Sequence, residues 1–192
     1  MAEATAIKFA LAAFAVVLAC CAFANAARAD DPRDVMLVDQ RGAKFNLRDF
    51  AREPTFVTFV ASRCNDACPI ANLMFFGLER TLHKEGRHAR LLTVTLDPSY
   101  DTPFVMSGLA HRFGARPDTW RFASGDPRLV LRVMDAFGVV ARTGKSGVPE
   151  VHSSFVYLLD GHGRLVRTLL LSTALADDAV RALDAIRPLQ RG

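Results

Sequence analysis

The chain predicts an α/β domain, a central mixed sheet flanked by helices, and three observations carry the prediction. The apolar runs Thr55 to Ala61 and Arg90 to Leu96 read as buried strands, and the helical stretch from Pro69 to about Glu85 separates them. Strand, helix and strand at this spacing form a parallel crossover unit. Later, Ser153 to Leu159, the turn Asp160-Gly161-His162-Gly163 and Leu165 to Leu171 read as a hairpin. The amphipathic stretch Asp177 to Pro188 follows it, with Val180, Leu183 and Ile186 on one side. Between these halves lies a helical insertion, Phe104 to Phe113 and Pro127 to Phe137, around a short strand at Trp120-Arg121-Phe122. A βαβ half, an insertion and a ββα half make a thioredoxin-like layout.

Residues 1–29 have the build of an export leader: Lys8, an apolar stretch from Phe9 to Phe23, and small residues ending at Ala27-Arg28-Ala29. Cleavage before Asp30 is the simplest reading. The alternatives are an uncleaved membrane anchor, associating the protein with the membrane through its N-terminus, and lipidation of Cys20. Each places the domain outside the cytoplasm, in the periplasm. Residues 30–34 are polar and contain Pro32, a short linker, and residues 35–192 form the domain. With 192 residues, 51% of them hydrophobic, the chain has a core for one ordinary domain. The net charge of +4 comes from dispersed Arg and Lys, and without residues 1–29 the count is 22 basic to 19 acidic residues. No basic stripe points to nucleic acid.

The domain opens with a hairpin, Val35 to Val38 and Lys44 to Leu47 about the turn Gln40-Arg41-Gly42, and Arg48 to Glu53 links it to the first buried strand. Gly86 ends the first long helix. After Leu96, the segment Asp97 to Pro103 is a turn running into a helix start, with Asp101 or Thr102 as cap. Because it follows a parallel strand, Asp97 is within range of the cysteines, though turn geometry already accounts for it. Asp126 opens the next helix and Gly138 closes it. Arg142 to Pro149 is a glycine-rich loop leading to Val151-His152.

Of four cysteines, Cys20 and Cys21 lie in the leader, which leaves Cys64 and Cys68 at the junction of strand and helix. The positive end of a helix favours thiolate, the form that soft metals and disulfide chemistry require. Three residues separate the pair and Pro69 follows at once, unlike a two-residue redox dithiol. The spacing fits a disulfide, a buried thiol pair or one soft ion, Cu(I) on two sulfurs and Cu(II) once a nitrogen joins. Among the five histidines, His83, His88, His111 and His162 fall at helix ends, on a helix or in a turn where solvated histidine is ordinary. His152 alone sits between a flexible loop and a strand expected beside the cysteine strand. Met36, Met74, Met106 and Met134 are scattered singly among apolar neighbours, as core filler is.

The chain resembles the SCO/SenC family, copper chaperones of cytochrome c oxidase assembly. The resemblance rests on Arg63-Cys64-Asn65-Asp66-Ala67-Cys68-Pro69, Leu96 to Pro103, Trp120-Arg121-Phe122, and His152-Ser153-Ser154 with Tyr157 to Asp160 and Gly163-Arg164, in that order. It implies copper, Cu(I) or Cu(II), held by Cys64, Cys68 and His152, with the two cysteines also a redox pair. It further implies a partner, the copper-binding subunit of a membrane cytochrome oxidase, which receives the metal or has its own cysteines reduced, with a thioredoxin-like reductant as a second partner. Three positions depart from the family pattern: Val151 stands in place of a usual aspartate, Val60-Ala61-Ser62-Arg63 replaces an aromatic-rich segment, and Tyr100 stands where arginine is frequent. The competing functions on the same residues are a thiol–disulfide reductase without stable metal, in which Cys64 attacks, and a peroxidase, which lacks an evident arginine partner.

Overall fold

The structure, a computed structural model, describes residues 31–64, 67–144, 147–151 and 155–186. In chain order its elements are β1 (Met36–Asp39), β2 (Lys44–Asn46), α1 (Leu47–Phe50), β3 (Thr55–Val60), α2 (Ala67–Lys84), β4 (Arg90–Thr95), α3 (Pro103–Arg112), β5 (Trp120–Ser124), α4 (Pro127–Ala136), β6 (Ala141–Thr143), β7 (Pro149–Val151), β8 (Phe155–Leu159), β9 (Leu165–Leu170) and α5 (Leu175–Ile186). Seven strands form one mixed sheet in the order β2-β1-β5-β4-β3-β8-β9. The middle three, β3, β4 and β5, are parallel, and β8 and β1 flank them antiparallel. The expected N-terminal hairpin thus caps the far edge of β5, where Val38 pairs with Ser124. An edge strand left bare would expose unpaired backbone groups.

Both faces of the sheet are covered, which is why β3 is buried at all six positions rather than at alternate ones. Phe56 and Val60 face the layer of α2, α3 and α5, packing with Phe75, Leu78, Met106 and Ala179. Val57 and Phe59 face the other layer with Val133, Met134 and Tyr157. On α2 the buried positions Cys68, Ala71, Phe75, Leu78 and Leu82 recur at helical spacing, so the packing of this stripe sets how Cys68 is presented. Met106 and Met134 are buried as expected, whereas Met36 is exposed.

Two local expectations change, and a third segment gains detail. Arg142 to Pro149, expected as a loop, overlaps at both ends with a two-stranded sheet of β6 and β7, with Ala141 opposite Val151 and Thr143 opposite Pro149. Three rungs are too few to show alternation in the sequence. The link after the first hairpin forms the single turn α1, capped by Asn46, whose side chain accepts from the Asp49 N–H at 2.7 Å. The 30–34 stretch carries a 3-10 turn, Pro32–Asp34, pinned by Arg48, which reaches Asp34 at 2.6 Å and Asp31 at 2.9 Å.

Candidate metal centre

Parallel strands β3 and β4 end at the same edge of the sheet, and the cysteines occupy the turn that leaves β3 there. Ala61 anchors that turn from both sides. Its carbonyl accepts from the Cys64 N–H at 3.1 Å, and its own N–H donates to the Cys68 Sγ at 3.4 Å. Cys68 is the second residue of α2 and only 4% exposed, while Cys64 is partly buried and packs against the cores on both sides of the sheet. The pair is not joined in a disulfide, and the two thiols interact with each other.

Electrostatics at Cys68 run against the sequence expectation. Burial pushes its thiol up to about 12, the hydrogen bond with Cys64 adds to this, and the Ala61 N–H opposes it. Desolvation of a charged sulfur therefore outweighs the start of α2, and Cys68 holds its proton at neutral pH. A soft cation bound here would have to release that proton, which couples binding to pH.

Two carboxylates from the turn after β4 hold the cysteine loop in place. Asp101, expected as a possible cap, is fully buried instead: it accepts from the Ser62 N–H at 3.1 Å, from the Ser62 hydroxyl and from the Thr95 hydroxyl at 2.6 Å. Thr102 caps α3 in its place. Asp97 is tied to the cysteine loop through Arg63: its Oδ2 accepts from Arg63 Nε at 3.0 Å and Nη2 at 2.5 Å. Sequence reasoning missed both Arg63 and Asp101 as site residues. Their only signals were a charge beside Cys64 and a second aspartate four positions after Asp97, which cap geometry also explains. Asn72, one turn along α2 from Cys68, is also buried, and its Oδ1 has no hydrogen-bond partner among the described residues.

His152 lies outside the described residues. Its neighbour Val151 ends β7, and β8 begins at Phe155 and runs antiparallel to β3, with Val57 opposite Tyr157. The start of β8 is therefore at the cysteine edge of the sheet. His83 and His111, in the last turns of α2 and α3, and His162, in the turn after β8, lie at the opposite edge. Among the described residues no three His, Cys, Asp or Glu side chains are grouped closely enough to hold a metal ion.

A thiol pair in a strand-to-helix turn, at the C-terminal edge of parallel strands in a mixed sheet, defines a thioredoxin-like protein with a dithiol site. The SCO1/SenC family model matches residues 26–186, and the chain belongs to that family. A SCO2-like protein of Rickettsia felis is 27% identical over 146 residues, covering 73% of this chain and 70% of its own. Among solved structures, copper-bound ScoI of Bradyrhizobium japonicum is 26% identical, with a TM-score of 0.66 over 77% of this chain and 96% of its own. A SCO1/SenC family lipoprotein of Bacillus anthracis reaches a TM-score of 0.72 at 18% identity, over 79% and 92% of the two chains, a likeness of fold.

Proposed function

We propose that the protein is an extracytoplasmic copper chaperone that binds one copper ion through Cys64, Cys68 and His152. It delivers the metal to the binuclear copper site of cytochrome c oxidase, or reduces the cysteines of that site. The observation that carries this reading is the pair of unbridged thiols that the turn after β3 brings to the sheet edge where β8 begins. Two soft sulfurs suit Cu(I), and an imidazole extends the set to Cu(II). Two further findings support it: the Bradyrhizobium japonicum relative holds copper, and the Sco family is one of cytochrome c oxidase assembly proteins. Residues 1–29 serve as leader or anchor and place the copper-binding domain, residues 35–192, in the periplasm.

The test is copper titration of the reduced protein. One Cu(I) per chain is expected, with binding lost in Cys64→Ser and Cys68→Ser and weakened in His152→Ala; wild-type behaviour in all three refutes the site. A second reading, a thiol–disulfide reductase served by a thioredoxin-like reductant, draws on the unequal burial of the pair. The more open Cys64 would attack a client disulfide and the buried Cys68 would resolve the mixed disulfide. Fast exchange with a client disulfide that is unaffected by His152→Ala favours that reading over the first.

A further inference from the structure

The residue before Cys64 joins three segments that the sheet does not join. Arg63 donates through Nε and Nη2 to Asp97, thirty-four residues away, and through Nη2 to the Gly147 carbonyl at 3.1 Å, eighty-four residues away. Its guanidinium carbon also lies 4.4 Å from the centre of the Tyr100 ring. One planar cation thus meets a carboxylate, a carbonyl and an aromatic face. That combination needs the several directed donors and flat face of arginine, not the point charge of lysine.

Gly147 belongs to the turn that closes β6 onto β7. Its N–H donates to the Gly144 carbonyl, the Gly144 N–H donates to the Val148 carbonyl, and its φ of +72° is one that favours glycine. Among the described residues this hairpin forms its own two-stranded sheet, with no ladder to the seven-stranded one. At its base Ala141 packs against the core. At its turn Arg63 reaches it from the cysteine loop, and β7 then runs from Pro149 to Val151, the residue before His152.

We propose that Arg63 is a positioning residue: its clasp on Asp97, Tyr100 and Gly147 fixes the β6–β7 hairpin to the cysteine loop. Through β7 it sets where the chain carrying the third ligand starts. The second half of this inference rests on the reading of His152 as a ligand; the first half does not. Arg63 does not bind the metal. It holds apart or together the two segments that would, so its loss makes the third donor less well placed while leaving both sulfurs intact.

Hydrogen–deuterium exchange of the full-length, metal-free protein tests the clasp itself. In Arg63→Ala, amides of residues 139–151 should exchange about tenfold faster while those of β3 and β4 are unchanged. Arg63→Lys, which keeps the charge without the fork, should behave alike. Unchanged hairpin exchange, a rise spread across the whole sheet, or full restoration by lysine each overturns the proposal. Copper competition then tests the consequence. Arg63→Ala should weaken copper binding by about tenfold in the wild-type background and leave it unaltered in the His152→Ala background. Equal losses in both backgrounds refute the positioning role. If His152→Ala alone changes nothing, the coordination reading fails, and the exchange result still decides the clasp.

Discussion

Replacing Asp101 shows how far the cysteine loop depends on one buried carboxylate. The side chain is fully buried, and its oxygens accept the Ser62 N–H, the Ser62 hydroxyl and the Thr95 hydroxyl. Alanine leaves three donors facing a cavity. Hydrogen bonds to a charged group contribute about 1.5–3 kcal/mol each, but the two hydroxyls can rotate toward other acceptors, so about 3–5 kcal/mol is expected for Asp101→Ala. Asp101→Asn keeps one acceptor oxygen and should cost about 1–2 kcal/mol. Urea unfolding followed by circular dichroism measures both, with an unchanged m-value as the check that only stability has moved. Ser62→Ala combined with Asp101→Ala should cost less than the sum of the two, because they share bonds. An alanine variant within about 1 kcal/mol of wild type would refute the carboxylate as an anchor.

Other outcomes follow from the same packing. Because burial raises the Cys68 thiol from 9.0 to about 12, the unfolded chain loses that proton first, and stability should fall as pH rises through this window. The buried Tyr157 phenol, shifted the same way, adds a common slope, so the comparison is with Cys68→Ala, whose fall should be shallower; equal slopes would contradict the assignment. Trp120 is fully buried, its indole N–H donates to the Thr93 hydroxyl at 3.0 Å, and its ring packs 5.0 Å from that of Phe122. Trp120→Phe should therefore cost about 2–4 kcal/mol in urea unfolding, and a loss below about 1 kcal/mol would contradict it.

Much of this fold was legible because the strands and helices that build it are long or strongly patterned. Thr55 to Ala61 and Arg90 to Leu96 announce a doubly covered parallel pair, and proline with an Asp or Thr before it marks the start of α3 and α4. What escaped were features that depend on partners distant in sequence. Asp101 has the letters of a cap, and only the return of Ser62 beside β4 makes it an anchor. Arg63 reads as one more surface cation until the β6–β7 turn brings Gly147 to it. The helix start at Cys68 suggested a thiolate, yet how deeply its sulfur is buried is decided by packing around Ala61 and the core, which no local spacing encodes.

X-ray absorption of the copper-loaded protein tests the central claim most directly. Two sulfur scatterers and one nitrogen scatterer are expected in wild type, with the nitrogen lost in His152→Ala and one sulfur lost in either cysteine variant. A copper shell of nitrogen and oxygen alone, or a spectrum that His152→Ala leaves untouched, would contradict a site built from Cys64, Cys68 and His152.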